Sequence, residues 1–379
     1  MWKTLRVVHV TPGITEAGIG VHVRELAKAL SKRGVETKIY TVGSIERGKI
    51  CIPSTPDGRR IDEGVEVNEF FGINPPEFGG ILPELFNPFP HPDFFRRLSK
   101  EEGVIHIHGN EYFITIAASS IAKLTKKPYV LTIHNVGKAF SDDPLIKPLR
   151  AILNSSLFNM AIRQANAVIA PTDEAVRYLK RFRPRRVERI RLAIDLKRFE
   201  GNCEHNSRYI LYLGRLDPVK EVDLLIEAAE LVLQQVDVDF VIAGDGVEKI
   251  KLESLVKQKG LSEKFNFLGK MAYADVPNVF LGALAFYAGR AAGYTLLESA
   301  AAKKPIICVR DEWSLDAIGG EGNALFVPKD SKHLAEAIIS VIKDQKLRSS
   351  LIENAYRFVK EHASWGRVVD DYMKVYQSL

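Results

Sequence analysis

Cysteine is scarce in this chain, with only Cys51, Cys203 and Cys308 among 379 residues. Their odd number, and the lack of any CxxC or Cys/His spacing, argue against a disulfide framework or a structural zinc site and for a reducing compartment. Long uncharged apolar runs are also missing. The nearest is Val279–Leu297, 19 positions with Arg290 as the single charge. Gly282, Gly289 and Gly293 interrupt it, so it reads as a buried strand and the start of a buried helix rather than a bilayer span. The start, Met1 to Val8, runs straight into an apolar strand pattern without a signal-peptide h-region, and a cytoplasmic location is expected. No GxGxxG followed by an acid on the next strand is found, which argues against a nicotinamide-dependent oxidoreductase. No GxxxxGK[ST] is found either. Without a helix-turn-helix, zinc finger or RNP-type aromatic motif, nucleic acid is not expected as a partner.

What is present is ordinary globular composition, 46% hydrophobic and 26% charged, in a length that suggests two domains. Charge divides unevenly. Residues 1–200 hold 31 Lys/Arg against 22 Asp/Glu, an excess of +9, whereas 201–379 hold 22 against 25, or −3. The excess peaks from Arg177 to Arg191, where eight basic side chains accompany one acid, Glu188. Such a face suits an anionic lipid or a phosphorylated ligand, and equally a solvated helix surface.

The apolar run Leu5–Val10 is followed by a loop with Gly13, Gly18 and Gly20. Ile19, Val23, Leu26, Ala27 and Leu30 then recur at helical spacing, and Glu36–Val42 reads as a second strand. That is a βαβ unit, and it implies parallel strands. Further short apolar runs stand at 104–107, 129–133 and 167–170. The Pro-, Gly- and Phe-rich stretch from Pro53 to Pro92 reads as long loops with a strand pair. The polar stretch Glu200–Ser207 is a linker candidate, after which strand and helix patterns restart at Tyr209–Leu213, Val222–Val236 and Asp239–Ala243. The fold class expected is α/β: two doubly wound Rossmann-like domains facing across a cleft. One spans 1–200 and is completed by a C-terminal helix at 362–379; the other spans 201–361. Ligands of such folds bind at the C-terminal ends of the strands.

Several residues at those ends can carry chemistry. Gly214-Arg215-Leu216-Asp217-Pro218-Val219-Lys220 places a guanidinium just after a strand and an ammonium before a helix, a pair suited to one diphosphate. The glycines at Gly18–Gly20 and Gly244–Gly246 would let backbone N–H groups approach an anion, or would simply form tight turns. Glu298 lies on an apolar helix, where a carboxylate is costly unless paired or offered to ligand hydroxyls. Strand alternation puts His106 and His108 on one side, with His134 closing the next strand. His134 could supply a third metal ligand, but no carboxylate cluster accompanies the histidines, so a metal site is not expected.

Taken together, these segments resemble the retaining glycosyltransferases of family four, which have the GT-B architecture. The resemblance runs from Gly18–Gly20 through His108, Pro171-Thr172, Gly214-Arg215-Leu216 with Lys220, Gly244-Asp245-Gly246 and Phe267-Leu268-Gly269 to Glu298–Pro305 and Val327-Pro328. The tail, Ser364 to Tyr376, is similar to the family's last helix, which crosses back to the N-terminal domain. The resemblance implies transfer of a hexosyl group from a UDP- or GDP-linked sugar to an acceptor hydroxyl, with retention and without a metal or other cofactor. It implies that Arg215 and Lys220 hold the diphosphate and stabilise the leaving group, that Glu298 binds the ribose hydroxyls, that the Leu268–Met271 stretch, with Leu268 and Gly269, lies against the base, and that His108 faces the donor sugar. Gly18, Gly20, Gly214, Arg290 and Gly293 complete the implied donor site.

Departures from the family pattern cluster at the sugar pocket. The first of two glutamates eight positions apart falls on Arg290, the Gly-Phe-Gly stretch survives as Ala291-Ala292-Gly293, and the Gly-Gly-x-Pro-Glu loop reads Glu312-Trp313-Ser314-Leu315-Asp316. Two readings follow. Either the chain is an active transferase with an altered pocket, where Arg290 would pair with an anionic sugar such as a uronic acid, or it is a degenerate member that binds a nucleotide or a partner without efficient transfer. The basic N-terminal half, with Phe94–Leu98 and Tyr178–Phe182 as candidate contacts, would suit a lipid-linked acceptor at an anionic membrane.

Overall fold

The structure, a computed structural model, describes residues 5–13, 18–43, 45–47, 50–73, 89–109, 113–134, 158–201 and 209–379. Most of the linker candidate, Cys203 and positions 14–17 of the first glycine loop lie outside them. The chain divides into two compact units, residues 1–191 with 368–379, and residues 192–367. The division therefore falls before Leu192, ahead of the polar stretch at 200–207.

The first unit is built on an eight-stranded sheet. Its order is Val187–Arg189, Ala167–Ala170, Tyr129–Thr132, Val104–His108, Arg6–Val10, Glu36–Val42, Val65–Phe70 and Arg59–Asp62. Neighbours pair in parallel except the last two, which form an antiparallel hairpin. The central strands are buried on both faces, which is why they read as continuous apolar runs. Part of the Pro-rich stretch thus extends the main sheet. Another part joins a small antiparallel sheet of Ile45–Arg47, Ile50–Ile52, Gly72–Ile73 and Phe89–Pro90.

Apolar packing takes up part of each candidate membrane segment, while Phe95, Tyr178 and Phe182 stay half-buried. Phe94 and Leu98 are fully buried, Phe94 against Tyr40 and Phe70, and Leu179 is fully buried as well. In the basic stretch, Arg189 pairs with Asp173 at 2.7 Å, and Arg186 with Glu188 at 2.6 Å.

The second unit has six parallel strands in the order Phe265–Gly269, Asp239–Ala243, Tyr209–Leu213, Ala283–Tyr287, Ile306–Val309 and Leu325–Val327. Alternation along each strand splits the apolar residues between two cores. Ile210, Tyr212, Phe240 and Ile242 face one core; Leu211, Val241 and Ala243 face the other. Helices Val222–Leu233 and Ser331–Lys343 cover the first face, and Tyr294–Ala301 and Gln345–His362 cover the second. This is the doubly wound arrangement expected, with loops gathered at the C-terminal ends of the strands. Among the described residues, no helix is long and apolar enough to cross a membrane.

Candidate functional site

In the second unit, the loops after the first three strands in the sheet order are laced together by backbone bonds. Gly244 N–H donates to Gly269 O at 2.8 Å, Gly214 N–H to Ala243 O at 3.0 Å, and Leu216 N–H to Asp245 O at 2.9 Å. The stacking is close enough to require glycine. A Cβ on Gly244, at φ +148°, would stand 1.8 Å from Gly214 O, and one on Gly246 would stand 2.5 Å from Leu216 O. These two glycines therefore serve loop packing. Gly269, at φ +69°, and Leu268, which is 42% exposed, end the edge strand and leave an open apolar surface beside the loops.

Arg215 and Lys220 follow the strand Tyr209–Leu213. The Arg215 side chain is largely exposed, and its guanidinium pairs with Asp217 at 3.0 Å. Lys220 Nζ donates to the carbonyls of Arg290 at 3.1 Å and Ala291 at 2.7 Å. Burial, with Arg215 nearby, lowers the Lys220 amine to about 8. Gly289 makes this approach possible, because a Cβ there would lie 2.2 Å from Lys220 O. The facing loop is held by its own side: Ala291 N–H donates to Asp311 Oδ2 at 3.0 Å, and Ala292 N–H to Ser314 Oγ at 2.9 Å. Gly293 opens the helix Tyr294–Ala301 with no side-chain cap, and its Cα hydrogen side faces Trp313.

Glu298 is buried on that helix. Desolvation pushes its carboxyl up to about 7, opposed by Arg198. Arg198 lies 3.5 Å over the Tyr273 ring and donates to Tyr273 O at 2.6 Å, while its Nη1 is buried with no hydrogen-bond partner among the described residues. Nothing in the local spacing of the sequence points to Arg198. The same holds for Glu221, which is buried beside Lys220, and for Lys329, whose ammonium lies 3.2 Å from Glu221 Oε1. Arg290 Nη1 lies 3.8 Å from the same oxygen.

The first unit contains a second cluster. His9, His22, His106, His108 and His134 are all buried. His9 comes from the strand Arg6–Val10, His22 from the helix Ile19–Ser31, and His106 and His108 from the strand Val104–His108. The two strand partners do share a side, with ring centroids 4.0 Å apart. His108 Nε2 lies 3.0 Å from His9 Nδ1, and His108 Nδ1 lies 3.3 Å from His134 Nε2, so both of its ring nitrogens are engaged by other imidazoles. His106 meets Thr132 Oγ1 and Tyr376 Oη, each at 2.6 Å, and His22 meets Tyr372 Oη at 3.1 Å. Burial holds all five imidazoles well below their ordinary range, His9 and His134 down to about 3. The triads His9/His106/His108 and His22/His108/His134 each bring their ligand atoms within 4.8 Å of one another. A metal ion there would have to displace the bonds that the imidazoles already make. Gly18, at φ +59°, caps the helix Ile19–Ser31 without a side chain, and Gly20 is buried in its first turn.

Two family descriptions match this chain, Glycosyltransferase Family 4 over residues 17–198 and Glycosyl transferases group 1 over residues 193–358. An uncharacterized glycosyltransferase of Methanocaldococcus jannaschii is 24% identical over 95% of this chain and 94% of its own length. The alpha-D-kanosaminyltransferase of Streptomyces kanamyceticus is 27% identical, over 88% of this chain and 92% of its own. Among solved structures, Anabaena HepE in complex with UDP-glucose superposes with a TM-score of 0.75 at 15% identity, covering 99% of this chain and all of that one. At that identity the likeness is one of fold, the GT-B fold.

Proposed function

Because the chain belongs to glycosyltransferase family 4, we propose that it moves a hexosyl group from a UDP- or GDP-linked sugar to an acceptor hydroxyl, with retained configuration and without a bound metal. The observation that carries this reading is the Arg215–Lys220 pair: two cations in adjacent turns at a strand end, one exposed, the other held by two carbonyls of the facing loop. A diphosphate arriving there would favour the charged form of Lys220 and raise its pKa from about 8. As the glycosidic bond breaks, negative charge grows on the departing diphosphate, and cations already in place stabilise it at no reorganisation cost. A buried carboxylate at Glu298 suits ribose hydroxyls, whose donors would compensate its desolvation. Leu268 offers an apolar surface against which a base can lie. His108, which the resemblance sets at the donor sugar, is fully buried, kept neutral by that burial, and has both ring nitrogens engaged by His9 and His134.

The complex of HepE with UDP-glucose supports a nucleotide-sugar as the ligand class. A lipid-linked acceptor would meet cations together with the half-buried Phe95, Tyr178 and Phe182, since Phe94, Leu98 and Leu179 are buried; salt-sensitive binding to anionic vesicles is its test. For the reaction itself, nucleotide-sugar hydrolysis and transfer are measured with the wild type and Lys220→Met. Binding of UDP or GDP with slow sugar release, both reduced at least a hundredfold in Lys220→Met, is the expected result. Nucleotide binding with no sugar release or transfer would establish the degenerate, non-transferring alternative instead.

A further inference from the structure

Glu221 and Lys329 meet Arg290 at one carboxylate oxygen. Glu221 follows Lys220 and begins the helix Val222–Leu233 with φ +53° and ψ +44°, a left-handed conformation that costs a non-glycine residue strain. Ala291, in the loop that accepts the Lys220 bonds, is also left-handed, at φ +50°. Glu221 is 3% exposed. Its Oε1 lies 3.2 Å from Lys329 Nζ and 3.8 Å from Arg290 Nη1, while its Oε2 is buried with no hydrogen-bond partner among the described residues.

A pair built only for stability would close on both carboxylate oxygens, since bidentate Arg contacts are the strong ones. Here one oxygen draws in two cations and neither is used up. Arg290 is about half exposed and Lys329 two-thirds exposed; among the described residues neither makes a side-chain hydrogen bond. One carboxylate against two cations leaves an excess positive charge. Glu221 offsets the repulsion between the two and holds them side by side, with a net positive charge suited to an anionic group.

Its chemistry follows from the strand order. Along the C-terminal edge of the sheet, Leu268 stands toward one side, Arg215 and Lys220 in the middle, then Arg290, with Lys329 beyond the last strand. A base at Leu268 and a diphosphate at Arg215 and Lys220 would direct the glycosyl group toward Arg290 and Lys329. We infer that Arg290 and Lys329, positioned by Glu221, form a subsite for a carboxylate on the transferred sugar, so that the donor is a nucleotide-linked uronic acid. This rests on the proposed donor site and adds the class of sugar.

The test is calorimetric titration of the full chain with UDP, UDP-glucose and UDP-glucuronate, and with GDP, GDP-mannose and GDP-mannuronate. For whichever base binds, the acidic sugar should bind at least tenfold more tightly than the neutral one. Arg290→Gln combined with Lys329→Gln should bring the two within twofold, with an unchanged circular dichroism spectrum reporting an intact fold. Equal affinity for acidic and neutral sugars in the wild type, or a preference that survives the double substitution, overturns the subsite but leaves the donor site standing. If neither UDP nor GDP binds at millimolar concentration, the donor site and the subsite fall together.

Discussion

Acidification should weaken the first unit before the second, because of the five buried histidines. Each is neutral in the folded chain, where burial lowers its pKa, yet takes up a proton near 6.5 once unfolded. The unfolded state therefore binds more protons at low pH. The stabilisation is complete above about 6.5 and declines as pH falls through it, by about 1.4 kcal/mol per pH unit for each imidazole. Between pH 7.5 and 5.5 one such residue accounts for about 1.4 kcal/mol, and five together for roughly 7 kcal/mol as an upper bound. That is comparable to the whole stability of an ordinary domain, about 5–15 kcal/mol. His9 and His134 would extend the decline to about pH 3. Glu298 acts oppositely in the second unit. Its folded carboxyl is raised to about 7 from 4.5, so its contribution is most favourable below the lower value and is lost as pH rises toward the upper. Native-state hydrogen exchange at pH 7.5, 6.5 and 5.5, corrected for intrinsic rates, reads the two units separately. Opening free energies for peptides around 6–10, 104–108 and 129–134 should fall by several kcal/mol over this range, with no fall in the second unit. A change of less than about 1 kcal/mol in the first unit would refute the reasoning.

Three other outcomes are expected. If ribose hydroxyls donate to Glu298, nucleotide binding at pH 6.5 should release a fraction of a proton, seen as a buffer-dependent calorimetric enthalpy; Glu298→Gln should abolish that dependence. Gly289→Ala puts a methyl 2.2 Å from Lys220 O at φ +65°, and should cost about 1–3 kcal/mol in denaturant unfolding together with at least tenfold in nucleotide affinity. Phe94→Ala empties a fully buried site between Tyr40 and Phe70, and should cost about 3–5 kcal/mol while leaving anionic-vesicle binding unchanged.

Strands such as Ala167–Ala170, Tyr209–Leu213 and Asp239–Ala243 could be delimited from sequence because parallel strands buried on both faces leave largely apolar runs bounded by polar or glycine residues. Val65–Phe70 is different. Its Asn68 and Glu69 are buried yet polar, and are satisfied by distant or neighbouring groups: Glu69 accepts from Ser54 N–H at 2.5 Å and from Arg60 Nε at 3.3 Å, while Asn68 donates to Glu66. Such partners leave no periodic trace. At the site, Arg215, Lys220 and Glu298 stood out because charge is conspicuous at a strand end or on an apolar helix. Glu221, Arg290 and Lys329 are brought together from three separate loops, and only Arg290 attracted notice beforehand. In Phe94–Leu98 aromatic residues stand beside arginines, and only Phe94 and Leu98 of these are core, a division that their spacing alone does not reveal.

The helix Trp365–Gln377 has a consequence for how the molecule is made. Tyr376 meets His106 across 270 positions, and Tyr372 meets His22 across 350. The second unit is continuous in sequence, whereas the first is interrupted by it and needs residues 368–379. During synthesis the earlier half must therefore wait, with two of its buried imidazoles lacking their tyrosine partners, until residues 368–379 have been made. A fragment ending at Arg191 would inherit that unfinished state, and the order in which the halves mature would be the reverse of the order in which they are translated.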